Sequence, residues 1–128
     1  MSMLLNSFFE IKEKTNTESG DKVNISARLI LNKSHPIFEG HFPNQPVVPG
    51  VCMIQMVMEI LEKHLDTKLF LSTASNIKFL SVINPEVNNQ LNADIQFKPS
   101  PSFEVEAKLF WEEIIFFKIK GIFSASLP

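Results

Sequence analysis

Apolar and polar residues alternate over several stretches of the chain and merge into an almost unbroken apolar run over one. From Lys22 to Leu31, the residues Val23, Ile25, Ala27, Leu29 and Leu31 share one side, the period-two pattern of a half-buried strand. Leu91 to Phe97 repeats it with Leu91, Ala93, Ile95 and Phe97, and Phe103 to Phe110 sets Phe103, Val105, Ala107 and Leu109 against Glu104, Glu106 and Lys108. Ser7 to Lys14 alternates less regularly and predicts a first strand. The polar Thr15 to Asp21 (TNTESGD), which holds Gly20, predicts the turn after it. Phe70 to Val82 and Ile114 to Ala125 complete the predicted strands. Pro85 with Asn88-Asn89, Lys98 to Ser102, and Trp111 to Glu113 mark the turns between them.

Val51 to Leu65 (VCMIQMVMEILEKHL) has no Gly or Pro and predicts a helix, with Pro49 suited to its first turn. Between Val51 and Leu61 only Gln55 and Glu59 are polar. The apolar positions therefore cover all sides, and such a helix is expected to be buried all round. Asn32 to Gly50, by contrast, holds four of the eight prolines and two of the four glycines, and cannot stay regular for long. The order is two strands, an irregular loop, one helix and about four strands, which is α+β. A helix apolar on every side must be wrapped by the sheet. The expected architecture is a curved antiparallel sheet of five to six strands around one long central helix, the hotdog fold, as a single domain over residues 1–128. Its edge strands point to dimerisation.

Composition narrows the chemistry. Of 128 residues 45% are hydrophobic and 20% charged, as in an ordinary globular domain. The single cysteine, Cys52, excludes an internal disulfide and a cysteine-based zinc site. There is no Tyr to serve as an acid or base, and Arg28 is the one arginine, so clustered bidentate phosphate clamps are excluded. A net charge of −2 argues against nucleic-acid binding. No uncharged run is long enough to insert in a membrane, and no signal peptide is evident, which with a lone thiol reads as cytoplasmic.

The segment Gly40-His41-Phe42-Pro43-Asn44-Gln45-Pro46-Val47-Val48-Pro49-Gly50-Val51 carries the candidate chemistry. His41 lies in a loop stiffened by prolines, which lowers the entropic cost of holding one imidazole in place. Gly50 opens the buried helix, whose unpaired N–H groups can hold a developing negative charge. A held base beside such a site is what proton abstraction next to a thioester carbonyl requires.

GHFPNQPVVPGV resembles the signature of the β-hydroxyacyl-acyl-carrier-protein dehydratases of fatty acid synthesis, whose fold is the hotdog. Leu31 to Gly40 resembles the strand leading into the family's loop, and Ile77 to Pro85 (IKFLSVINP) its segment after the helix, so the likeness runs from about Val23 to Ala125. The resemblance implies that His41 is the base and that Gly50 or Val51 gives an oxyanion N–H, with Phe42 and Pro49 beside them as substrate contacts. It implies a substrate carried as an acyl carrier protein or coenzyme A thioester, a homodimer or trimer of dimers, and no cofactor. The family's acid is a Glu five residues after the helix-opening glycine, given by the other subunit. Gln55 stands there, and Glu59 stands where the family has Gln. A carboxylic acid can protonate a leaving hydroxide, and a carboxamide can only donate a hydrogen bond. Gln55 and Glu59 share a helix face about 6 Å apart along the axis. Glu59 can serve as the acid directly or through a water, or the pair can hold a water for thioester hydrolysis, or the chain can be a non-catalytic acyl-binding partner of an active dehydratase.

Plainer roles stand beside these. Gln55 and Glu59 can satisfy each other or the backbone, since a buried Glu must be paired or protonated. His64 falls in the helix's last turn, where the dipole favours a cation. His35 precedes Pro36 and shapes the loop. Three separated histidines make no metal site. Cys52 and the methionines Met53, Met56 and Met58 read as core or tunnel lining. Lys33, Lys68 and Lys78 are either ordinary surface or contacts for an acidic carrier protein.

Overall fold

In the computed structural model, residues 3–40, 46–99 and 102–125 are described. Among them, six strands form one sheet: β1 (Phe9–Ser19), β2 (Lys22–Leu31), β3 (Leu69–Phe79), β4 (Gln90–Phe97), β5 (Ser102–Trp111) and β6 (Ile114–Ala125). The spatial order is β1-β2-β4-β5-β6-β3, and every neighbouring pair is antiparallel. The alternation that predicted β2, β4 and β5 has a direct structural cause. Val23, Ile25, Ala27, Leu29 and Leu31 are buried, as are Leu91, Ala93, Ile95 and Phe97, and then Val105, Ala107 and Leu109, all on one face. In β6 a bulge opposite Leu109 and Phe110 lets the consecutive Phe116 and Phe117 both turn inward.

Two helices interrupt the strand order: a single turn, α1 (Ile37–Gly40), inside the expected irregular stretch, and α2 (Gly50–Leu65). The sheet curves around α2, whose Cys52, Met53, Met56, Val57, Ile60 and Leu61 meet the inner faces of the strands. This is the expected hotdog arrangement. Pro49 is the N-cap, one position before the first turn. At the other end Asp66 takes the left-handed conformation (φ 52°) and returns its N–H to the Glu62 carbonyl. Glu62 also accepts the Leu69 N–H at 2.8 Å, tying the helix exit to β3. No helix among the described residues is long and apolar enough to cross a membrane.

Three expectations need correction. The first strand runs from Phe9 to Ser19, not from Ser7 to Lys14, and the polar stretch read as a turn is mostly strand. Ser19 pairs with Lys22 across a tight hairpin closed by Gly20 at φ 63°. As an edge strand with most of its length exposed, β1 needs no apolar alternation, so the polar Thr15–Glu18 pair as well as apolar residues do. β3 ends at Phe79, and residues 80–89 form a turn-rich connection. Finally, α2 is not buried on every side within one chain. Val51 is 57% exposed, and Ile54, Gln55 and Met58 are half-buried. These positions, three and four residues apart, form one open apolar stripe.

Candidate functional site

The loop that carries the motif leaves α1 at Gly40 and returns at Pro46. His41 and Phe42, the expected base and a substrate contact, lie outside the described residues with Pro43, Asn44 and Gln45. The returning strand of the loop is fixed: Val48 is buried and donates its N–H to the Ile83 carbonyl at 2.9 Å. Pro49 then takes φ −61° and ψ 145°, an extended geometry that stops the helix from starting earlier, and no side chain among the described residues caps the helix. The Cys52 N–H and the longer Met53 N–H both turn back to the Pro49 carbonyl, at 3.0 and 3.4 Å. The Gly50 and Val51 amides have no acceptor among the described residues, the arrangement that an oxyanion site at a helix mouth needs.

Gly50 lies close under the Phe79 ring. A Cβ there would come within 2.9 Å of the Phe79 ring, which itself packs on Phe117 at 5.3 Å between centroids. The Phe79 ring therefore lies against the helix mouth. Val51, Phe79, Leu80 and Val82 are all exposed around it, and together with Ile54 and Met58 they form an apolar surface leading along α2.

One turn further in lies the polar pair. Glu59 is 3% exposed and is the one buried charged residue among those described. Its Oε1 accepts N–H bonds from Leu4 (2.9 Å) and Leu5 (2.7 Å). Its Oε2 accepts from Leu4 (2.9 Å) and from Gln55 Nε2 (2.7 Å). The main-chain contacts come from the segment before β1, which crosses α2 with Leu4 and Phe8 buried. The structure thus brings Gln55 and Glu59 together as the sequence expects. It turns the Glu59 carboxylate away from the open stripe and onto the amino-terminal segment. The apolar run Met3-Leu4-Leu5 is the only sequence signal for this contact, since nothing local links residue 4 to residue 59.

The remaining candidates take structural places. Cys52 is fully buried, and burial followed by the nearby Glu59 charge pushes its thiol up, which keeps it unreactive. His35 accepts the Ile37 N–H through Nδ1 at 3.1 Å and sets its ring edge on Phe8, so it shapes the entry to α1. His64, at the far end of α2, sits edge-on to Phe97. Desolvation, and then Lys14, lower its pKa, so here burial outweighs the helix dipole expected to favour the cation.

Comparison with known proteins points the same way. The ApeI-like family, described as ApeI dehydratase, matches residues 14–111. A 3-hydroxyacyl-[acyl-carrier-protein] dehydratase FabZ of Rickettsia typhi is 28% identical over 87 residues, covering 62% of this chain and 60% of that protein. The matches span between about half and three fifths of such curated relatives. In fold, the chain superposes on an uncharacterized protein from Erwinia carotovora with a TM-score of 0.68 at 19% identity, covering 91% of this chain and 94% of that one. It superposes on the dehydratase heterocomplex ApeI:P from Xenorhabdus doucetiae with a TM-score of 0.65 at 22% identity, covering 88% and 96%.

Proposed function

The chain belongs to the ApeI-like dehydratase family, and from that premise we propose that it removes water from a 3-hydroxyacyl thioester borne on an acyl carrier protein or coenzyme A, in fatty acid or polyene synthesis. The observation that carries this reading is the mouth of α2, where the Gly50 and Val51 amides have no acceptor among the described residues, just after the segment that bears His41. His41 takes the α-proton, and the negative charge that develops on the thioester oxygen is held by those amides. The C–O bond at the β-carbon then breaks, the double bond forms, and the hydroxyl leaves as water. Phe42 and Pro49 flank the thioester, and the acyl tail runs along the apolar stripe past Met58.

The departing hydroxyl needs a proton. The oxygens of Glu59 are taken up by Leu4, Leu5 and Gln55, so in this reading Glu59 supports Gln55 rather than acting as the acid. Gln55 holds the hydroxyl, and the proton comes from the His41 imidazolium or from water. The same observation favours a second reading, in which the chain is a partner subunit that binds acyl groups beside an active dehydratase; the structurally similar ApeI:P is a dehydratase heterocomplex.

Purified protein incubated with 3-hydroxyacyl and saturated acyl thioesters decides among the possibilities. Enoyl thioester formation supports dehydration. Release of free thiol instead means a thioesterase, the other chemistry the Gln55–Glu59 pair suits. Neither product until a second subunit is added means the partner role.

A further inference from the structure

Gln55 has a carboxamide with one donor end and one acceptor end, and the structure decides which end faces outward. Glu59 accepts from the Leu4 and Leu5 main chain on both of its oxygens. A carboxylate set among N–H donors offers only lone pairs to a further neighbour. The Gln55 side chain must therefore turn its nitrogen toward Glu59, and it does, with Nε2 donating to Oε2 at 2.7 Å. Oε1 of Gln55 has no partner among the described residues, and Gln55 lies half-buried on the open stripe between Val51 and Met58.

We propose that Glu59 is a positioning residue which, anchored by the Leu4 and Leu5 amides, fixes Gln55 as a hydrogen-bond acceptor toward the acyl pocket, so that the site selects chains carrying an O–H donor at that point. The inference rests on the reading of the open stripe as the acyl pocket. It adds a specificity role that the dehydration reading alone does not contain. An amide oxygen cannot protonate a leaving group. It can accept the O–H of a 3-hydroxyacyl chain and thereby discriminate against the saturated chain, which leaves Oε1 without a partner. One neutral hydrogen bond of this kind corresponds to about a three- to tenfold preference in Kd. The anchor explains why the amino-terminal segment matters to the pocket: the Leu4 and Leu5 amides hold the carboxylate that holds the amide.

The test uses the full chain with two inert probes, a 3-hydroxyacyl and a matching saturated acyl pantetheine amide, in which nitrogen replaces the thioester sulfur. In the ligand-free protein, one Gln55 Nε2 proton is expected to be shifted downfield and slow to exchange in 15N NMR. The hydroxylated probe is expected to bind three- to tenfold more tightly and to shift the Gln55 side-chain carbonyl carbon, which the saturated probe leaves in place. Glu59→Gln, whose own amide then donates and turns the Gln55 nitrogen outward, should abolish that carbonyl shift, because the probe hydroxyl then accepts rather than donates. The reversed pair Gln55→Glu with Glu59→Gln should restore it, because residue 59 then donates and residue 55 again accepts. Should the Glu59 variant fail to fold, the wild-type NMR and binding ratio decide alone. Equal binding of the two probes, no binding of either, or rapidly exchanging Gln55 protons overturns the inference. Selective binding without turnover upholds it and sinks only the catalytic reading, whereas turnover without selectivity sinks only this one.

Discussion

At the scale of single residues, two histidines are expected to behave in opposite ways. His41→Ala should cut dehydration by at least about 10²-fold, the lower end of what a positioned base contributes, while shifting stability by no more than about 0.5 kcal/mol, as a role in chemistry rather than in packing requires. Enoyl formation and a thermal melt on the same preparation check both halves, and full activity in the variant would make His41 a structural loop residue. His64 should affect stability and not turnover. Its folded pKa lies below the ordinary value of about 6.5 because it is desolvated and faces Lys14. As the pH falls through that ordinary value, the unfolded chain takes up the proton first. His64 therefore leaves stability intact above about pH 6.5 and removes it progressively below, down to the depressed folded value. Denaturant melts of wild type and His64→Gln between pH 5 and 8 should diverge only on the acid side, with the variant losing less. Of these residues, the sequence made His41 legible because its meaning lies in a local motif. Glu59 was only half legible: its pairing with Gln55 follows from helical spacing, but its bonds to Leu4 and Leu5 join positions 55 and 54 apart, and no local pattern encodes that.

At the scale of elements, legibility follows burial. β2, β4 and β5 have one face on the core and one outward, and their alternation marks them. β1 lies at an edge, so its outer half has no face that must be apolar, and the pattern ends at Lys14 while the pairing continues to Ser19. β3 and β6 are held in register by a feature the sequence shows only as a lone glycine. Where β3 bulges, a Cβ on Gly121 would meet the Thr73 carbonyl oxygen at 2.5 Å and the Ala74 Cα at 3.3 Å. These are backbone atoms in a paired strand and cannot swing aside as the Phe79 ring at Gly50 can. Gly121→Ala should therefore cost about 1–3 kcal/mol, the usual penalty for overpacking, and lower Tm by roughly 5–10 °C. An unchanged Tm would mean that β3 slides to accept the methyl group.

At the scale of the whole molecule, the two edges of the sheet are unlike. β1 carries Glu10, Lys12, Glu13, Lys14 and Glu18, the charges that keep an edge from pairing with another chain. β3 carries only Lys78, and beside it lie the exposed Phe79, Leu80 and Val82, the last 70% exposed, next to the open stripe of α2. An unprotected edge that continues into an apolar surface is what a second copy would cover. The chain alone leaves α2 exposed on the side that its apolar residues predict to be buried. We expect a homodimer formed across β3, with the acyl channel lying between the α2 stripes of the two copies. Sedimentation should then give twice the 14.6 kDa of one chain. Leu80 and Val82 stand outside the core, so the pair Leu80→Lys and Val82→Lys should leave far-UV circular dichroism unchanged. Two cations pressed into an apolar interface should weaken association by tenfold or more, since burying an unpaired charge costs several kcal/mol. A wild type that sediments as a single chain at every concentration, and pairs only with a different hotdog subunit, would place the same surface in a heterodimer and move the protein to the partner reading.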